Sequence, residues 1–235
     1  MRLIVLPGDG IGPEITAATL GVLRAADRRF GLKLELVEDV VGHESLKRQG
    51  TTVRTGLLDE VRCADGLILG PAATYDFKDP EKGEINPSAY FRKNLDLFAN
   101  IRPARTYDGV PYKSVSPFDL VVVRENTEGF YADRNMTQGN AEILVTPDVV
   151  VSMRRITRPA CARVARAAFE LAARRKNHVS IVHKANVLRI GDGMFIEECQ
   201  KAARDFPNVT VDDFIVDAMI DRKSTRLNSS HLGIS

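Results

Sequence analysis

Short apolar runs alternate with amphipathic stretches along most of this chain. Residues 3–6 are an apolar run leading into a glycine-rich turn, and beyond it Ile15, Leu20, Val22, Leu23 and Ala26 recur at helical spacing. Pro13 suits a first helical turn, and Glu14 sits where the positive end of a helix favours an anion. This predicts a helix starting at Pro13 that packs its stripe on a sheet. An extended run at 34–41, a helix at 53–63 and a strand at 67–69 continue a pattern of strands crossed over by helices. After Asn100 the spacing changes. It predicts a strand at 119–124, an extended region at 143–151 around Pro147, an alanine-rich helix at 160–175, a strand at 179–183, a helix at 193–206 and a final strand at 209–216. A domain boundary is expected near residue 99, and no internal repeat is evident.

Composition adds bounds. With 235 residues, 44% hydrophobic and 27% charged, the chain has enough apolar mass for a real core. Met1 leads straight into the first apolar run, and no stretch is long enough to span a bilayer, so a soluble cytoplasmic protein is expected. Cys63, Cys161 and Cys199 are far apart and set in apolar helical surroundings, which predicts buried free thiols, with no disulfide or metal role. The net charge is +2, with arginines dispersed and not gathered in a stripe, so no nucleic-acid footprint is present. The segment 221–235 lacks any periodicity and holds Arg222, Lys223 and Arg226 against Asp221. Its string DRKSTRLNSSH resembles the translated read-through of a sequencing-library adapter and is set aside as a non-native tail, the alternative being a natural disordered C-terminus.

The candidate chemistry lies in strings spread along the chain. Pro7-Gly8-Asp9-Gly10-Ile11-Gly12-Pro13-Glu14 is a glycine-rich turn between a strand and a helix. Its GxGxG spacing misses the dinucleotide fingerprint by one residue, and Pro13 removes an amide that a pyrophosphate would use. A tight structural turn competes with a ligand-approach loop. Arg92, Arg102 and Arg124 offer planar, permanently charged forks that grip carboxylates through paired hydrogen bonds, and three forks suit a substrate with two or three carboxylates. Surface solvation is the competing reading for each alone, but Arg102 and Arg124 lie beside apolar extended segments where an unpaired charge is costly. Lys184 ends the strand at 179–183, where partial burial or a cationic neighbour would bring it towards proton transfer near neutrality. Tyr131 is its candidate acid/base partner, or else an aromatic capping the core. His183 reads as structural. Asp217 closes the final strand as a carboxylate for a hard cation, whose remaining ligands must come from elsewhere.

GDGIGPEI, RKNLDLFANIRPAR, VRENTEGFY, VHKANVL and VDAM, in this order over residues 1 to about 220, resemble the isocitrate and 3-isopropylmalate dehydrogenase family of decarboxylating dehydrogenases. The resemblance implies a two-domain isopropylmalate-dehydrogenase-like α/β fold of three α/β/α layers, distinct from the doubly wound fold. Residues 1–99 would be the start of a large cofactor-side domain whose C-terminal half is missing, and 100–220 a small substrate and dimerisation domain. It also implies NAD(P)-linked, Mg2+- or Mn2+-dependent oxidation of a 2-hydroxy acid followed by loss of a carboxylate. Arg92, Arg102 and Arg124 would hold substrate carboxylates with Ser88 and Asn186 nearby, Tyr131 and Lys184 would move protons, Asp217 would bind the metal, and Ile11 and Thr74 would approach the nicotinamide. A homodimer is implied in which Lys184 and Asp217 serve the partner's site. The family pattern continues past VDAM, so a truncated chain is expected, inactive alone and prone to aggregate through an open sheet edge.

Asn86 and Ser88 put polar groups where an isopropyl substituent would prefer apolar walls. Isocitrate, homoisocitrate or a tartrate-like acid is therefore favoured over 3-isopropylmalate, and NAD over NADP. The rival expectation is a non-catalytic regulatory or structural subunit of the same family. Intact Tyr131, Lys184 and Asp217 argue against it.

Overall fold

The structure, a computed structural model, describes residues 1–112, 114, 116–131 and 141–219. The expected non-native tail lies outside the described residues. The chain divides into two compact units, Met1–Asp96 and a second beginning at Leu97.

In the first unit β1 (Arg2–Leu6) is the centre of a parallel three-stranded sheet, between β2 (Glu35–Glu38) and β3 (Gly66–Leu69). Parallel neighbours need crossovers. Helix α1 (Gly12–Phe30) makes the first, and α2 (His43–Gln49) with α3 (Leu57–Arg62) makes the second. Ile4, Val5 and Leu6 are all buried although successive strand residues point to opposite faces, so β1 is covered on both sides. Ile4 and Leu6 join Val41, Val53, Leu57, Val61 and Phe91 in the core, the last supplied by α4 (Pro87–Asn94).

The α1 stripe differs from the expected one. Gly12, Thr16 and Leu20 are buried, whereas Ile15 is 40% and Val22 71% exposed. The cause is close approach at the helix start. A Cβ on Gly12 would lie 2.2 Å from the Pro7 carbonyl oxygen, so the inward side of the first turns must be small.

In the second unit β4 (Ala99–Arg105) and β5 (Asp119–Glu125) pair antiparallel, β6 (Glu142–Thr146) and β7 (Val149–Ser152) form a hairpin, and β8 (His178–His183) and β9 (Thr210–Ile215) pair in parallel. Helix α6 (Arg189–Ala203) crosses between β8 and β9, and α5 (Arg158–Ala173) packs on α6, β5 and β8. Phe169, fully buried on α5, stacks on Phe206 with ring centroids 5.7 Å apart. A cavity of about 590 Å³ opens between β5 and β8 beside α5. Consecutive residues of both strands line it, Leu120 and Val121 on one side and Ile181 and Val182 on the other, so each strand meets it edge-on.

Three sequence expectations change here. The extended region at 143–151 is a hairpin turning at Pro147 and Asp148, where the Asp148 amide donates to Thr146 Oγ1 at 3.3 Å. Strand β4 was hidden by Pro103, which an edge strand tolerates because its missing N–H leaves no ladder bond unmade on the open side. The last strand stops at Ile215 and residues 216–219 are helical, which puts Asp217 in a first turn, where the helix dipole favours a carboxylate. Among the described residues no helix is long and apolar enough to cross a membrane.

Cys161 and Cys199 are buried as expected, but Cys63 is exposed at the end of α3. Burial disfavours the thiolate and pushes the Cys161 thiol up to about 11 and the Cys199 thiol to about 12. Both therefore stay neutral at pH 8, and the folded state loses stability relative to the unfolded chain as the pH climbs from the ordinary thiol value towards the raised ones. A thiol-reagent titration at pH 8 should modify Cys63 rapidly and Cys161 and Cys199 only on unfolding. Equal rates for all three would contradict the burial.

Candidate functional site

The expected ligand residues fall into groups that the backbone assembles in different ways. In the first unit the glycine-rich turn is built around Asp9. Its carboxylate accepts the His43 amide at 2.8 Å and the Ala73 amide at 2.9 Å, while its own amide donates to the Pro71 carbonyl at 2.7 Å. Asp9 thus binds together the loops that leave β1 and β3, with the start of α2. A Cβ on Gly8, whose φ is +77°, would sit 2.0 Å from the Pro71 oxygen, and one on Gly70 would sit 1.9 Å from the Pro7 oxygen. The turn is a close-packed junction whose central acid repels anions, so of the two sequence readings the structural one describes its Gly-Asp core. Ile11, 59% exposed at the head of α1, and Thr74, one residue beyond Ala73, sit on the two loops that Asp9 joins. They lie past the C-terminal ends of adjacent parallel strands, where such sheets take ligands.

Helix α4 carries Ser88 and Arg92 four residues apart, one turn along the same side. Asn86 is its N-cap, with Oδ1 accepting the Ala89 amide at 3.0 Å. The polar-pocket argument therefore loses Asn86 and rests on Ser88.

In the second unit Arg102 and Arg124 share one face of the β4–β5 ladder. Asn100 is paired with Arg124 and Arg102 with Val122, so the two arginines are diagonal neighbours, with Cβ atoms about 7–8 Å apart by sheet geometry. Arg102 Nε donates to Asn100 Oδ1 at 3.2 Å, and the Arg124 guanidinium lies 5.9 Å from the Tyr131 ring centroid. Among the described residues neither guanidinium is paired with a carboxylate. Nearby arginines are: Arg155 reaches Glu128 at 3.3 Å and Arg154 reaches Asp192 at 2.6 Å. The result is a face with two closely set positive charges whose local partners are an amide and a ring.

The rest of the RENTEG string is scaffolding. Asn126 extends the ladder, its amide donating to the Phe98 carbonyl at 2.8 Å and its side chain to Leu97 at 3.3 Å. Glu125 accepts the Thr127 amide and hydroxyl and the Glu128 amide, folding the turn after β5. Glu128, buried, accepts the amide and hydroxyl of Thr157, the N-cap of α5.

Lys184 and Asp217 form an ion pair beyond the C-terminal ends of β8 and β9. The neighbour of Lys184 is thus a carboxylate, not the cation entertained from sequence. Its backbone is tightly held: the Lys184 amide donates to Asp192 at 2.6 Å, the Val187 and Leu188 amides donate to the Lys184 carbonyl, and the Ala185 amide donates to His183 Nδ1 at 3.0 Å. His183, buried and with Nε2 3.2 Å from Asp213, is structural as expected. Asn186 rides on this turn. Asp217 is one exposed carboxylate, and among the described residues no group of three or more His, Cys, Asp or Glu is placed to hold a metal. The described donor set does not complete a metal shell.

Three contributors escaped the sequence reading. Asn100 needed the ladder register to be seen opposite Arg124. Arg154 and Asp192 lie far apart in the chain, and the available signal was Asp192 in the first turn of α6, ahead of an apolar stripe.

Against this geometry, a family model described as "Isocitrate/isopropylmalate dehydrogenase" matches residues 2–225. The chain belongs to that family. It is 37% identical over 218 residues to the isocitrate/homoisocitrate dehydrogenase of Thermus thermophilus, covering 92% of this chain and 60% of that protein. It is also 37% identical over 229 residues to a 3-isopropylmalate dehydrogenase of Halalkalibacterium halodurans, covering 92% of this chain and 61% of that protein. Among solved structures, the isocitrate dehydrogenase of Methylococcus capsulatus superposes with a TM-score of 0.76 at 31% identity, covering 94% of this chain and 62% of that one. The chain spans about three fifths of the length of the curated relatives it matches.

Replacing Asp9 with Ala would leave the His43 and Ala73 amides without their acceptor. The expected cost is about 1–3 kcal/mol for each of the two groups that stays shielded from water. Urea denaturation followed by circular dichroism measures it, and a midpoint equal to the parent's would contradict the junction role.

Proposed function

We propose that the full-length protein is an NAD(P)-dependent, Mg2+- or Mn2+-dependent dehydrogenase that oxidises a 2-hydroxy polycarboxylic acid and releases one carboxylate as carbon dioxide. The observation that carries this is the pair Arg102 and Arg124 on one face of the ladder, without carboxylate partners among the described residues. Membership of the isocitrate/isopropylmalate dehydrogenase family supports it.

The forks of Arg102 and Arg124 would each take a substrate carboxylate through parallel N–H···O bonds, and Arg92 and Ser88 on α4 are proposed as further substrate-binding residues. NAD(P)+, when bound, would supply the hydride acceptor for the carbinol carbon, and Nζ of Lys184, freed from Asp217 and serving the partner's site in the dimer proposed below, would accept the hydroxyl proton. The C–C bond to the β-carboxylate then breaks, its electrons pass into an enolate, and Tyr131 delivers a proton to carbon. A divalent cation, when bound, supplies positive charge for the developing oxygen anion. Asp217 is the one ligand proposed from this chain. Asn186 would touch substrate or nicotinamide, and Ile11 and Thr74 would border the nicotinamide.

For substrate, isocitrate, homoisocitrate or a tartrate-type acid is favoured over 3-isopropylmalate by Ser88, and NAD is favoured over NADP. A panel of these acids with either cofactor, followed at 340 nm on the full-length protein, tests the reading. Binding of the acids without turnover would replace it with the regulatory-subunit alternative. Lys184→Met in the full-length protein should lower kcat about 100-fold or more while leaving substrate affinity within a few-fold, as for loss of a general base. Unchanged turnover would refute the assigned role.

We also propose a homodimer, in which Lys184 and Asp217 serve the partner's site. Its support is the β6–β7 hairpin, where every residue is exposed and Ile143, Leu144, Val145, Val149, Val150 and Val151 leave both faces apolar. A lone two-stranded hairpin of this kind is marginal in water, and a second copy would cover it. Leu144→Lys should shift full-length dimer to monomer in sedimentation velocity. A dimer of undiminished affinity would place the interface elsewhere.

A further inference from the structure

We infer that the Arg154–Asp192 pair is the positioning device for the turn that carries Lys184 and Asn186. This rests on the dehydrogenase reading of Lys184 and extends it to two residues that touch no substrate in that reading. Asp192 is buried, and its two oxygens are divided between two tasks. Oδ1 accepts Arg154 Nη1 at 2.6 Å, and Oδ2 accepts the Lys184 backbone amide at 2.6 Å. The Asp192 amide in turn donates to the Leu188 carbonyl, and the Leu188 amide donates to the Lys184 carbonyl, so the turn 184–188 closes on Asp192 from both ends.

Arg154 is itself fixed from outside the turn. It leaves the β6–β7 hairpin at a point where Met153 is bonded to Ala141 and where the Arg155 amide and carbonyl bridge Gly129. Gly191 completes the fit: a Cβ there would sit 3.3 Å from Ile156 and 3.6 Å from the Arg154 guanidinium. The hairpin exit, the turn after β5 and the lysine turn are thereby in one hydrogen-bonded chain. A carboxylate with this burial costs heavily unless paired, so loss of Arg154 would turn Asp192 towards water and take the Lys184 backbone with it. Displacement of a proton-transfer group by about 1 Å costs about 100-fold in rate.

The test uses the full-length protein and four variants: Arg154→Met, Asp192→Ala, Arg154→Lys and Arg158→Met. Arg158 also pairs with α6, through Glu197 at 2.8 Å and Glu198 at 2.9 Å, but it does not touch the lysine turn and so controls for a general loss of ion pairing. Arg154→Met and Asp192→Ala should lower kcat about 10- to 100-fold with the KM for the hydroxy acid within about threefold, Arg154→Lys should recover most of it, and Arg158→Met should resemble the parent. Independently of turnover, acetylation of Lys184 by a water-soluble ester, read by peptide mass mapping, should change several-fold in the first two variants and not in Arg158→Met. Parent-like Lys184 labelling in Arg154→Met and Asp192→Ala, or the same change in Arg158→Met, would overturn the proposal. A full-length parent without turnover would sink the dehydrogenase reading, and the labelling would still decide this one.

Discussion

The contact between Arg154 and the buried Asp192 carboxylate is the constraint that holds the turn after β8 in the second unit. Two strand pairs, β4–β5 and β8–β9, share no ladder, and the cavity between β5 and β8 separates their edges. Helix α5, packed on both β5 and β8, and the short segment before it connect the two pairs. In that segment Arg154 serves the lysine turn, Arg155 and Thr157 hold Glu128, and Gly129 follows directly. A bidentate demand on one buried carboxylate is a sharper constraint than hydrophobic packing, since it has direction as well as distance.

The first unit solves a comparable problem with one acid at its loop junction. Asp9 collects amides from two loops, and glycines at positions 8, 12 and 70 let backbone carbonyls come within distances no Cβ would permit. This arrangement trades side-chain burial for loop placement: α1 leaves Ile15 outward beside a first turn whose inward residue had to be glycine. The two units thus use the same device. An acidic side chain inside a turn takes up main-chain N–H groups that would otherwise demand water, and so holds the loops beyond parallel strand ends in one arrangement.

Much of this was legible in the sequence because it was local. The strands β1, β2 and β3, helices α1, α3 and α5 and the β8–α6–β9 crossover follow from periodicity within single windows, whereas α2 was not legible. What was not legible depends on partners distant in the chain. Strand β4, with Pro103 in its middle, is defined by its pairing with β5, and the hairpin turn at Pro147 reads as continuous extension until β6 and β7 are paired. At the site, Lys184 was evident from its string, whereas Asp192 and Arg154, separated from each other by 38 residues, have no joint sequence signal. Asn86 erred in the opposite direction, since a polar residue before a helix serves as a cap as readily as a ligand.

The electrostatic pattern separates scaffolding arginines from the two on the β4–β5 face. Arg54, Arg154, Arg155 and Arg158 each meet carboxylates, and for Arg54 and Arg158 those partners raise an already high affinity for the proton, the hydrogen bonds to Glu60 and Glu197 leading. Arg102 and Arg124 meet an amide oxygen and an aromatic face instead. Neutral partners orient a guanidinium without cancelling its charge, and two such groups at diagonal ladder positions repel each other, a term that attraction to a bound dianion would outweigh. The sheet register imposes that adjacency whether or not an anion is present, because Arg124 stands opposite Asn100 and Asn100 is two residues from Arg102. Under the proposed function, an acid with two carboxylates would offset that repulsion and a neutral hydroxy compound would not.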